Sequence, residues 1–154
     1  MEKYQRIFTQ IALPDTFSEY LTMSLDDNNL VVYASGMMDE KKSYLITVED
    51  VVAFQVLEEF CHPNMDRKRG DPVPPFSNEA KKIYYPMLRI ENSIWIDSFS
   101  ENRLRDHRRE SAMHYKLLSY SNVIDFISNR LPEIKEIRYD EYIAIKELIG
   151  GNFT

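Results

Sequence analysis

A chain of 154 residues, 44 % hydrophobic and 29 % charged, has the size and composition of one globular domain. At that length it buries enough apolar surface to fold without a structural metal, and its single cysteine, Cys61, excludes an internal disulfide. The net charge of −6 is uneven: residues 1–60 carry 4 basic against 11 acidic side chains, residues 61–118 carry 11 against 8, and residues 119–154 carry 4 against 6.

The first residues hold no apolar run of signal-peptide length, and no stretch approaches the roughly 20 apolar residues of a membrane-spanning helix. The expectation is therefore a single cytoplasmic domain over residues 1–154, away from the membrane. The acidic first third repels phosphate backbones and favours a basic partner.

In chain order, residues 4–12 and 19–25 are rich in β-branched and aromatic side chains and predict strands. Asp26, Asp27, Asn28 and Asn29 suit a tight turn, and Leu30 to Ala34 follow at once, which predicts a hairpin. Residues 37–42 read as a second connection, carrying Asp39 and Glu40. Residues 43–47 and 51–57 resume the β pattern. In the latter both faces are mostly apolar, which predicts a central strand, with a helix over 49–60 as the alternative.

Residues 61–82 hold four of the seven prolines, and so predict a long excursion from the sheet. A strand is expected over 87–99, with Asn92-Ser93 as a turn or bulge. Residues 103–111 are polar, suiting a loop or a short exposed helix. Residues 114–118 and 123–127 predict a strand pair joined near 119–122. Asp140 suits the start of a helix running through Ile149 and ended by Gly150, although Tyr142 to Ile145 is also good strand sequence. The whole predicts a mainly β fold, with α+β as the alternative. Its antiparallel sheet is closed as a barrel or packed as a sandwich, with little helix beyond one at the C-terminus.

Candidate chemistry is sparse. Cys61 and His62 are neighbours whose side chains point apart on an extended chain, so a thiol nucleophile would need His107 or His114 as its base. A small hydrolase using Cys61 is the third reading. The three histidines match no metal-ligand spacing, His107 sits among arginines that repel a dication, and His114 is expected to cap the edge of an apolar strand. Acidic neighbours such as Asp26/Asp27 and Glu49/Asp50 fall at expected turns, where solvated charges belong, and do not converge for acid–base work. The four glycines form no phosphate-binding loop. No cofactor or metal is expected.

Two basic clusters are candidate anion sites: Arg67, Lys68 and Arg69, and then Arg103, Arg105, Arg108 and Arg109. They motivate a second reading, a nucleic-acid-associated protein using segments 67–69 and 103–109. No aromatic side chain interleaves the second cluster, and Asp106 and Glu110 dilute it, so nucleic acid is disfavoured as the partner.

Three segments in order, YLITVEDVVAFQVLEE at 44–59, ENSIWIDSFSE at 91–101 and HYKLLSYSNVIDFISNRLPEI at 114–134, resemble small β-rich bacterial proteins, some of them read as immunity proteins of toxin systems. The resemblance carries no catalytic residues. It implies a non-catalytic protein-binding module that blocks a basic toxin with acidic groups. The candidate partner-binding residues are Asp26, Asp27, Asp39 and Glu40, with Tyr33 and Tyr44 as exposed aromatic anchors.

Overall fold

The computed structural model describes residues 3–14, 17, 21–35, 42–58, 85–99, 111–119 and 122–150. Within them the chain forms β1 (Lys3–Arg6), β2 (Leu21–Asp26), β3 (Asn29–Ser35), β4 (Lys42–Val48), β5 (Val51–Glu58), β6 (Met87–Glu91), α1 (Ile94–Ser98), β7 (Met113–Leu118), β8 (Asn122–Ser128), β9 (Glu133–Arg138) and α2 (Tyr139–Gly150).

The expected hairpin forms between β2 and β3. Its loop is Asp27-Asn28, with φ of 50° and 61°. Asn and Asp tolerate this left-handed region better than other non-glycine residues, and two such residues in succession match the twist of the flanking strands. Asp50, at φ 53°, makes a second tight corner, but here the chain changes sheets instead of folding back on itself. The first strand is shorter than expected. Phe8 takes φ 59°, which breaks the pleat, and the Ile11 amide donates to the Phe8 carbonyl at 3.0 Å to close a turn.

Two antiparallel sheets result, one of five strands in the order β1-β6-β7-β8-β5 and one of four in the order β2-β3-β4-β9. Among the described residues neither sheet closes, so the expected barrel is not found; β1, β5, β2 and β9 are edges. One apolar core draws on both sheets: Leu30, Val32, Tyr44 and Ile46 from the four-stranded sheet, and Met87, Tyr115, Leu117, Ile124 and Phe126 from the five-stranded one. Phe17 lies tilted against Tyr44 at 5.8 Å, and Tyr115 stacks on Phe126 at 5.2 Å.

Two further sequence expectations need correction. Residues 51–58 form an edge strand, not a central one; Phe54 and Val56 are exposed, and the register shifts between Val51 and Ala53. Apolar residues on both faces do not distinguish a central strand from an edge strand with one face partly covered. The central strands are β7 and β8, buried on both faces. The single strand expected over 87–99 is instead β6 followed by α1, because Asn92 turns the chain at φ 55° and Ser93 caps the helix. At the C-terminus the helical reading holds: α2 begins at Tyr139 and contacts β3, β4 and β9, with Tyr142 buried. No helix among the described residues is long and apolar enough to cross a membrane.

Candidate functional site

Successive residues of a strand point to opposite faces, so register decides which polar groups meet. In β7, Tyr115 and Leu117 enter the core between the sheets, and His114 and Lys116 therefore face outwards. In β8, Ile124 and Phe126 enter the core and Asp125 faces outwards, directly opposite Lys116. This outer face is nonetheless buried: His114 is 4 % exposed, Lys116 2 % and Asp125 1 %.

The groups satisfy one another. Asp125 Oδ1 lies 2.6 Å from His114 Nε2 and 3.1 Å from Lys116 Nζ, and Lys116 Nζ lies 3.4 Å from Oδ2. On the other side of the ring, His114 Nδ1 lies 2.7 Å from Ser93 Oγ. That hydroxyl oxygen is also the N-cap of α1 and accepts from the Ile96 amide at 3.1 Å. An ionised carboxylate only accepts, so the neutral imidazole carries its proton on Nε2 and donates it to Asp125. Nδ1 is then an acceptor and takes the Ser93 hydroxyl proton. Each polar atom in the chain from Ile96 to Lys116 thus has a compatible role. Trp95, from the same short helix, packs edge-on against the His114 ring at 5.1 Å.

Burial pushes the Asp125 carboxyl up, but the His114 hydrogen bond and the Lys116 charge outweigh it and hold the group below its ordinary 3.8. A native value below the unfolded one means that ionised Asp125 stabilises the fold above the unfolded value. That contribution disappears as pH falls through the lowered native value. Asp125→Asn has no such contribution at any pH. The stability gap between wild type and Asp125→Asn is therefore expected to narrow from about pH 6 to about pH 2 in urea titrations. An equal gap at both ends would show that the Asp125 carboxyl binds its proton equally well in the native and unfolded states.

Ser93 also lines a cavity of about 400 Å³ at the end of β6 and β7, with Ile90, Ile96 and Met113 as apolar walls and Arg89, Glu91, Asn92 and Asp97 as polar ones. Met113 pairs with Ser128, and Ser128 also pairs with Val51, so this cavity lies at the same end of the sheet as the corner at Glu49-Asp50.

That end is acidic. The Val51 amide donates to the Asn28 carbonyl at 2.8 Å, which fastens the Asp27-Asn28 turn to the Glu49-Asp50 corner. Asp26, Asp27, Glu49 and Asp50 are all exposed. Arg130 reaches Asp50 at 2.8 Å through Nε and Glu49 at 2.9 Å through Nη1. Four carboxylates against one guanidinium leave an excess of three negative charges among these five side chains. Exposed ion pairs of this kind contribute about 0–1 kcal/mol each, so they orient charge more than they stabilise the fold.

The candidate residues from the sequence fare differently. Asp26 and Asp27 stand exposed at the hairpin tip, as a partner surface requires. Tyr33 is half-buried on β3. Tyr44 is fully buried, and its hydroxyl donates to the Ala12 carbonyl at 3.3 Å; it is a core residue and offers no surface anchor. Asp39, Glu40, Cys61, His62, Arg67, Lys68, Arg69, Arg103, Arg105, His107, Arg108 and Arg109 lie outside the described residues. His114 does not cap an edge; it sits buried in the middle strand of the five.

The Ser93–His114–Asp125 chain is not legible in the sequence, because its members come from three elements. Asp125, the one charge inside the apolar run 123–127, was the available signal. Among the described residues, no three His, Cys, Asp or Glu side chains gather as a metal site. No protein-family model matches this chain, and neither curated proteins nor solved structures give a match.

Proposed function

We propose that this chain is a protein-binding module that meets a basic partner through its acidic end, in the manner of an immunity-type inhibitor of a toxin. The observation that carries this reading is the fastening of two acidic turns by the hydrogen bond from Val51 to Asn28, which holds Asp26, Asp27, Glu49 and Asp50 together at one end. Carboxylates held at fixed positions complement a basic surface with little ordering cost on binding, and complementary charge speeds encounter and fixes register. Arg130 supports the arrangement by holding Glu49 and Asp50 in place.

The test compares the wild-type chain with the double variant Asp26→Asn, Asp27→Asn as bait in the native host's lysate, at low and at moderate salt. These substitutions remove charge at exposed positions and leave the buried network intact. The wild type is expected to retain a basic protein at low salt, and the variant to associate with it about tenfold more slowly. Equal retention by both baits, or no basic protein retained by either, would rule out the acidic end as the binding surface.

A further inference from the structure

A serine hydroxyl becomes a nucleophile when a base takes its proton, and the base works best when a third group fixes its tautomer and steadies the cation that forms. Ser93, His114 and Asp125 meet these requirements through contacts of 2.7 Å and 2.6 Å. The roles of the ring nitrogens are exchanged relative to the serine proteases, since the hydroxyl meets Nδ1 and the carboxylate meets Nε2. The imidazole's chemistry does not depend on which nitrogen does which, provided that the carboxylate holds the proton opposite the hydroxyl. Lys116 keeps Asp125 anionic, and burial excludes water from the His114–Asp125 bond. A purely structural network needs no adjoining space, yet Ser93 lines a cavity of about 400 Å³.

From this arrangement we infer that Ser93 is an acyl-accepting nucleophile, with His114 as its base, acting on small carboxylic esters that enter the cavity beside α1. The Ser93 oxygen bonds to the ester carbonyl carbon as its proton passes to His114 Nδ1. The carbon–oxygen bond to the alcohol then breaks, and His114 returns the proton to the departing alkoxide. Water, deprotonated by the same nitrogen, cleaves the acyl-Ser93 ester and releases the acid, so that ester and water give acid and alcohol. Ile90, Ile96 and Met113 suit a short apolar acyl chain, within walls that also carry Arg89, Glu91 and Asp97. This activity goes beyond the partner-binding proposal and does not rest on it.

The test uses the intact chain, a fluorophosphonate probe and p-nitrophenyl acetate. The wild type is expected to gain one phosphonyl adduct, located at Ser93 by peptide mass spectrometry, and to hydrolyse the ester. Ester hydrolysis is expected to fall about a hundredfold in Ser93→Ala and in His114→Gln. Near-UV circular dichroism checks that each variant is folded. Because the adduct's position is read on the wild type, an unfolded variant does not leave the proposal untested. Leu131→Ala, at an exposed position outside the cavity walls, should label as the wild type does. No adduct at Ser93, equal hydrolysis by a folded Ser93→Ala, or equal labelling of a folded His114→Gln would overturn the inference.

Discussion

Asp125→Ala is expected to destabilise the fold by about 3–5 kcal/mol, the cost of leaving a buried charge without its partner. Lys116 Nζ and His114 Nε2 both depend on Asp125 Oδ1, and both side chains are almost wholly inaccessible, so solvent cannot replace the lost carboxylate. For a domain whose total stability is about 5–15 kcal/mol, such a loss leaves a large unfolded fraction or none folded. The companion variant Asp125→Leu, Lys116→Met removes both charges at once. It is expected to recover much of the loss, because apolar residues of similar volume often match a buried ion pair. Urea unfolding of the three proteins separates the cases. A single variant as stable as the wild type would mean that Lys116 reaches water and that the outer face is not covered.

The second large effect lies on the other face of the same strand. Phe126 is fully buried, stacks on Tyr115 at 5.2 Å and belongs to the core shared by both sheets. Phe126→Ala is expected to cost about 3–5 kcal/mol, combining lost transfer energy with the cavity left behind. Leu131, 66 % exposed, is the control, and its replacement by Ala should change stability by no more than about 0.5 kcal/mol. Equal unfolding midpoints for the two variants would contradict the position of the core.

Local features of this fold were legible in the sequence, and the arrangement of its strands was not. The Asp27-Asn28 turn could be read because the residues that tolerate positive φ are few and stand directly between two β patterns. The β7–β8 pair could be read from two apolar runs and a short polar link, which the structure closes with a bond from the Ser119 amide to the Asn122 carbonyl at 3.0 Å. The order of the strands could not. Glu49-Asp50 resembles a hairpin turn, yet there the chain passes from the four-stranded sheet to the five-stranded one, and only packing between distant segments decides that. The edge position of β5 was hidden for the same reason.

The buried polar chain was legible only in fragments. His114 and Lys116 share a face by their spacing of two, and Asp125 interrupts an apolar run, so each hinted at a polar patch on a sheet. That Asp125 stands opposite Lys116 depends on register, and that Ser93 arrives above His114 depends on the turn at Asn92 and the short helix after it. Ser93 was visible as part of a turn. Its role as a cap could not be read, because α1 has only five residues, too few to show a helical period.

The most direct measurement is the protonation pattern of His114, read from its ring nitrogen-15 shifts at a pH where the ring is neutral. The interlocked contacts require the proton on Nε2, facing Asp125, with Nδ1 bare and accepting from Ser93; a single strongly populated tautomer of that kind is the expected result. A proton on Nδ1, or two tautomers exchanging rapidly as in a solvent-exposed imidazole, would contradict the whole chain of contacts from Ile96 to Lys116.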